Sequence, residues 1–291
     1  MLQRRMFMKG AAGVALIAAG AARAGKPEKD NLAVAIADIE RRSGGRLGVA
    51  VHDTGTGRRF AHRGDERFAF CSTFKFLLAG AILHRVDLRR ERLERRLPVA
   101  ASDIVSHSPV TEKLVGKTAT VGELCDATMT TSDNGAANIL VRALGGPDDL
   151  VRFLRAIGDR ATRTERLEPA LNSAIPGDPR DTTTPGAMAG NLDRLLLGRV
   201  LTSASRKQLL GWMIANTTGD TRLRAGVPRG WIVGDKTGAG ENGTVNDVAI
   251  LLPPTRPPIL IACYLTETKL PTAEAHRIHA DVARAVTNAL V

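Results

Sequence analysis

Apolar positions over 31–42 recur at helical spacing, and 46–53 followed by 57–62 read as two strands joined at Thr54-Gly55-Thr56. From Thr73 to about Trp212 the period becomes helical, over 73–84, 121–129, 135–144, 148–157, 184–197 and 203–215. Strand patterns return at 230–236, 244–252 and 258–265, and a helix over 272–289 closes the chain. Strands at both ends with helices between them imply one sheet assembled from both termini. The fold class expected is α/β of the α+β kind. It pairs an antiparallel sheet with flanking helices, formed by 25–70 and 214–291, with an all-helical lobe over 71–213.

One segment fits no period. The stretch from Arg163 to Pro185 carries Pro169, Pro176, Gly177 and Pro179, and loops this long inside a compact domain are usually functional. The first residues stand apart for another reason. Arg4, Arg5, Phe7 and Lys9 precede an apolar run from Gly10 to Ala22 and the step Ala22-Arg23-Ala24. This reads as an export signal over 1–24, of twin-arginine type or an ordinary Sec signal, with an apolar run too short to span a membrane; either way the chain is exported. The protein is therefore expected in the periplasm, or secreted where there is no outer membrane.

Charge adds little to this picture. The chain carries +11, and without Arg4, Arg5, Lys9 and Arg23 it keeps +7. The basic residues alternate with acids, as in Arg89-Arg90-Glu91-Arg92-Leu93-Glu94-Arg95-Arg96, which predicts a solvated helical face. No basic run is laced with aromatics, so no nucleic-acid partner is expected, and none at a membrane once the signal is removed. The excess charge serves solubility and attracts anionic substrates. Three cysteines, Cys71, Cys125 and Cys263, are too few and too odd in number for a disulfide framework.

Three short motifs carry chemistry. Ser72-Thr73-Phe74-Lys75 places a serine at a helix start and a lysine one turn later, where the amine reaches the hydroxyl that it must activate. Ser132-Asp133-Asn134 opens a helix, with Ser132 able to pass a proton to a leaving nitrogen and Asn134 able to bind a substrate amide. Lys236-Thr237-Gly238, at the end of a predicted strand, offers a cation and a hydroxyl to a carboxylate and a glycine for close backbone approach. Each alone reads equally as a helix cap or a strand end; together and in this order they are far more specific.

In that order the three motifs resemble the signature of the penicillin-recognising serine enzymes. Within that superfamily, Arg166-Leu-Glu168-Pro169-Ala-Leu-Asn172 resembles the loop of the class A β-lactamases, and the likeness runs from about Asn31 to the C-terminus. The resemblance implies a site between the two lobes. It implies Ser72 as nucleophile, its proton going to Lys75 or through a water to Glu168, and an oxyanion held by the backbone N–H groups of Ser72 and Ala239. Ser132 would protonate the leaving nitrogen, and Glu168 with Asn172 would direct water onto the acyl-enzyme. It also implies Arg166 and Asp181 pinning the loop, a cis bond before Pro169, a monomer acting on a small β-lactam, and no cofactor.

The sequence departs from the family in places. The arginine that often follows Lys-Thr-Gly on the next strand is Val245 here, and Arg222 occupies the position from which some members supply it instead. With Lys236 and Thr237, Arg222 would hold the substrate carboxylate, for which a guanidinium fork is suited. Cys125 faces Ala79 where the family has a half-cystine partner, and Cys71 faces Gly240, so free buried thiols are expected. His107 stands where an aromatic rims the site. Two text matches carry no function. Gly20 to Lys26 nearly spells a phosphate loop, but across the signal cleavage site. Gly238-Ala-Gly240-Glu-Asn-Gly243 mimics a dinucleotide fingerprint but links two strands. His276 and His279, the only close histidine pair, lack companions for a zinc site. The competing readings are a D-alanyl-D-alanine peptidase, which lacks the loop glutamate, and a non-hydrolysing β-lactam sensor.

Overall fold

The computed structural model of the chain describes residues 28–290; the export signal expected over 1–24 lies outside them. Helix α1 (Glu28–Ser43) leads into β1 (Arg46–Asp53) and β2 (Arg59–His62), and the short β3 (Phe68–Ala69) precedes a 3-10 turn over Cys71–Thr73. Then follow α2 (Phe74–Asp87), β4 (Arg96–Pro98), β5 (Thr118–Thr120), α3 (Val121–Thr130), α4 (Asn134–Leu144) and α5 (Pro147–Ala156). After β6 (Thr182–Thr183) come α6 (Pro185–Leu192) and α7 (Ser203–Ile214). The strands β7 (Ile232–Gly240), β8 (Thr244–Leu252) and β9 (Ile259–Thr266) and helix α8 (Thr272–Leu290) complete the chain.

As the pattern predicts, both chain ends build one antiparallel sheet, in the order β2-β1-β9-β8-β7. Strand β9 shows why its sequence is a continuous apolar run. Ile259, Ile261, Cys263 and Leu265 pack with α1 and α8, while Leu260, Ala262 and Tyr264 face the helical side. A strand buried on both faces has no reason to alternate with polar residues. The helical side is organised around α2, whose residues Phe74 to Leu83 are all buried, as expected of a helix apolar all round.

Two local readings are corrected. The Arg89–Arg96 stretch is not a helical face. Arg89 takes φ 58°, the chain turns into β4, and Glu91 is buried, accepting from Arg95 and from the Arg92 N–H. Strand β7 does not end at Lys236 but runs on to Gly240, because a turn with Asn242 and Gly243 both at positive φ closes the hairpin and pairs Gly240 with Thr244. Lys-Thr-Gly thus lies within a strand, at the free edge of the sheet. The small pairs β3 with β6 and β4 with β5 are too short to leave a period in the sequence.

Candidate active site

Ser72 sits in the 3-10 turn that runs directly into α2, with Lys75 one turn further on. Lys75 Nζ donates to Ser72 Oγ at 3.0 Å. The same ammonium meets Ser132 O at 2.7 Å, Ser132 Oγ at 3.3 Å, Asn134 Oδ1 at 2.5 Å and Glu168 Oε1 at 3.0 Å. These acceptors outnumber its three protons and favour the charged form. Burial works the other way and dominates, holding Lys75 below the ordinary lysine range while Glu168 opposes the shift.

Asp133, which the sequence motif left without a role, builds the next part. Its carboxylate caps α4 through the Ala136 N–H at 2.8 Å, and accepts from Val110 N at 2.8 Å, Thr111 N at 2.9 Å and Thr111 Oγ1 at 2.8 Å. That anchor fixes Ser132, at φ 61°, and Asn134 on either side of it. Ser132 Oγ accepts from Lys236 Nζ at 3.1 Å and from Lys75 at 3.3 Å. With both lone pairs engaged, its own proton is left to point elsewhere. Lys236 is fully buried, and burial together with the Lys75 charge pulls its pKa down to about 7.

The loop glutamate completes the group. Ser72 Oγ donates to Glu168 Oε1 at 3.3 Å, and Asn172 Nδ2 donates to Glu168 Oε2 at 2.5 Å. Arg166 Nε reaches Asp181 Oδ2 at 2.5 Å, and Asp181 Oδ1 accepts from the Glu165 and Arg166 N–H groups, so the two pins lie together as expected. The Glu168-Pro169 bond is cis.

Asn138 lies outside the three motifs yet belongs to the site. Its side chain clamps the backbone of Glu168, Oδ1 accepting from the N–H at 2.9 Å and Nδ2 donating to the carbonyl at 2.8 Å. Four residues after Asn134, it shares a helix face with a motif residue, which was the available signal. An Asn138→Ala variant is expected to lose about 2 kcal/mol of stability, read as a lower melting temperature, with the Glu168 loop becoming the preferred site of limited proteolysis.

Strand β7 supplies the facing wall. A Cβ at Gly238 would stand 2.9 Å from Phe70 O and 3.2 Å from Ser72 N, so only glycine lets the edge strand approach the turn that carries Ser72. Arg222 is buried, donating from Nη1 to Gly238 O at 2.8 Å and Asn246 O at 2.7 Å, while its Nε has no partner. Val245 pairs with Ala239 and packs in the core. Ser72, Ser132, Asn134, Asn172, Arg222, Thr237 and Ala239 all line one cavity of about 460 Å³. His107 reaches its rim with Nε2 turned back to Thr131 O at 2.9 Å. Lys75, Glu168 and Lys236 stand behind that wall, bonded to its hydroxyls. A larger, shallower groove of about 1030 Å³ beside α3 is lined by Arg96, Leu114, Lys117 and Asp126 but has no serine, so chemistry rather than volume marks the site. The three cysteines are buried and free. His276 is bonded to Thr221 and His279 is enclosed in α8.

Residues 31–290 match the model of the beta-lactamase enzyme family. The chain is 44% identical to beta-lactamase OXY-2 of Klebsiella oxytoca, over 99% of this chain and 98% of that one. It is 48% identical to beta-lactamase L2 of Stenotrophomonas maltophilia, over 87% of each. The solved structure of the class A beta-lactamase of the last common ancestor of Gram-negative bacteria superposes with a TM-score of 0.88 at 60% identity. That match covers 89% of this chain and 99% of the other. A family match over almost the whole described chain, together with the same fold at high identity, leaves one assignment: this protein belongs to the class A β-lactamases.

Proposed function

We propose that the chain hydrolyses the amide of penicillins and cephalosporins through an acyl-Ser72 intermediate, and so confers resistance to them. The observation that carries this reading is the buried triangle of Ser72, Lys75 and Glu168, each side 3.3 Å or less. Ser72 Oγ attacks the lactam carbonyl, and its proton passes to Glu168, directly or through Lys75, which touches both. The N–H groups of Ser72 and Ala239, brought close by the bare Gly238, receive the developing oxyanion. As the C–N bond breaks, Ser132 gives its proton to the nitrogen, and the two lysines stabilise the oxygen it leaves behind. The proton held by Glu168 then returns through Lys75, which touches both groups, to the Ser132 oxygen; the freed Glu168 carboxylate takes a proton from water held with Asn172 as that water attacks the ester, and passes it to Ser72 Oγ as the acyl group leaves. Asn134 binds the substrate amide, while Lys236, Thr237 and Arg222 hold the carboxylate. Export under the 1–24 signal and action as a monomer belong to the same reading; among the described residues no helix is long and apolar enough to cross a membrane.

The test is turnover of a chromogenic cephalosporin by the purified chain, with mass analysis of a quenched sample and of a Ser72→Gly variant. Many turnovers, and an adduct that disappears with Ser72, support the reading. One adduct per chain without turnover favours the sensor or the peptidase.

The depressed pKa of Lys236 sets a pH dependence. An anion needs the ammonium form, and that form is lost as pH rises through about 7, well below the ~10.4 of an ordinary lysine. The kcat/KM for a carboxylate-bearing substrate is therefore expected to decline on the alkaline side from near neutrality, chiefly through KM. Lys236→Arg, which stays charged, removes that limb; an unchanged limb assigns it to another group.

A further inference from the structure

Behind Thr237 lies a chain of polar side chains whose proton directions are fixed by the geometry. Asn216 Oδ1 faces the Thr218 N–H at 3.2 Å. A backbone N–H can only donate, so the atom facing it is the amide oxygen and the other end is the donor, which reaches Asp235 Oδ2 at 3.0 Å. The Thr218 hydroxyl lies 2.8 Å from the same Asn216 oxygen and gives it its one proton. The contact between Thr218 Oγ1 and Thr237 Oγ1, at 2.5 Å, needs a proton between the oxygens, and only Thr237 has one left to give. In the free protein, Thr237 therefore turns lone pairs, not its hydrogen, towards the cavity that both threonines line.

A carboxylate cannot be held by lone pairs. From this we infer that Thr218 is a positioning residue that reverses the hydrogen-bonding polarity of Thr237 when a substrate carboxylate arrives. The inference rests on the function proposed above. On binding, Thr237 swings its O–H to the carboxylate, and Thr218 swings its own from Asn216 to Thr237 Oγ1. The Asn216 oxygen keeps the Thr218 N–H, so no buried acceptor is orphaned and the number of bonds among the three side chains and the substrate is conserved. The chain from Thr218 through Thr237 to the anion then polarises in one sense, which strengthens each bond in it. The arrangement favours an anion at this position over a neutral group, because only an anion accepts strongly enough to turn the pair over.

The experiment compares Thr218→Val, which keeps the shape and deletes the hydroxyl, with Thr218→Ser, which keeps the hydroxyl. Each is assayed on a chromogenic cephalosporin and on the methyl ester of the same compound. Loss of one charge-assisted bond's support is expected to raise the KM of the acid about ten-fold in Thr218→Val, with kcat within about two-fold. The KM of the ester stays put, and Thr218→Ser returns the acid to the parent's value. In a Thr237→Val background, Thr218→Val adds nothing further. A KM that is unchanged, or raised equally for acid and ester, or a fall in kcat alone overturns the inference while leaving the proposed function standing. A parent without turnover on either compound overturns both.

Discussion

Glu168→Ala is expected to acylate once and stop, with kcat reduced about a thousand-fold and a stable adduct on Ser72 visible by mass. The direction follows from two effects of one deletion. The water that must attack the ester loses its base, so the second half of the reaction stalls. In the first half, Glu168 is the largest influence raising the pKa of Lys75 against the burial that lowers it. Without the carboxylate the pKa of the amine falls further, so it gives up its proton more readily, 3.0 Å from Ser72 Oγ, where it can serve as the base. Acylation then has a route that hydrolysis does not. A Glu168→Ala protein that is inactive with an unmodified Ser72 would overturn this division of labour.

The legibility of the site in the sequence varied with the range of its contacts. Ser72 and Lys75 are one helical turn apart, and Ser132 and Asn134 flank one cap, so local spacing shows them. The five strands and the main helices were legible for the same reason, since a period of two or 3.6 needs only neighbours. The reading failed where burial contradicted local pattern. Arg89–Arg96 alternates charge like a solvated helix, yet Glu91 is buried against Arg95. It was silent where a contact joins distant segments. Nothing near Asn216 announces that its amide meets Asp235 nineteen residues later, and Asp133 looks like an ordinary cap until Val110 and Thr111 are seen on its carboxylate. Arg222 lay between these cases. Its position was expected from the family, but its burial against the carbonyls of Gly238 and Asn246 comes only from the folded sheet.

Buried polar groups of this density bear on stability as well as on rate. Lys75, Lys236, Glu168, Asp133 and Asp235 are all almost wholly shielded from water, in a part of the molecule where a monotonous apolar core would be easier to build. Each is tolerable only because its neighbours answer it, so removing one member leaves several groups unanswered.

Lys75→Met makes that argument measurable. Methionine matches the lysine stem in length and relieves the burial of a charge, which alone would stabilise the fold. Against this, the substitution strips Glu168 Oε1, Asn134 Oδ1 and Ser132 O of a donor within 3.0 Å. An ion pair broken on one side leaves the other charge buried, at a cost of about 3–5 kcal/mol, and that outweighs the relief. The variant is therefore expected to melt lower than the parent, with a stability loss of about 3 kcal/mol, and to lose about a thousand-fold or more in the acylation rate. It should show no adduct on Ser72 at times when the Glu168→Ala protein is fully acylated, because Ser72 has lost the amine that polarises it and Ser132 one of the two cations that prepare it as an acid. A Lys75→Met protein that acylates at the parent's rate would show that the carboxylate alone activates the serine, and one that melts higher would show that relief of the buried charge outweighs the broken ion pair.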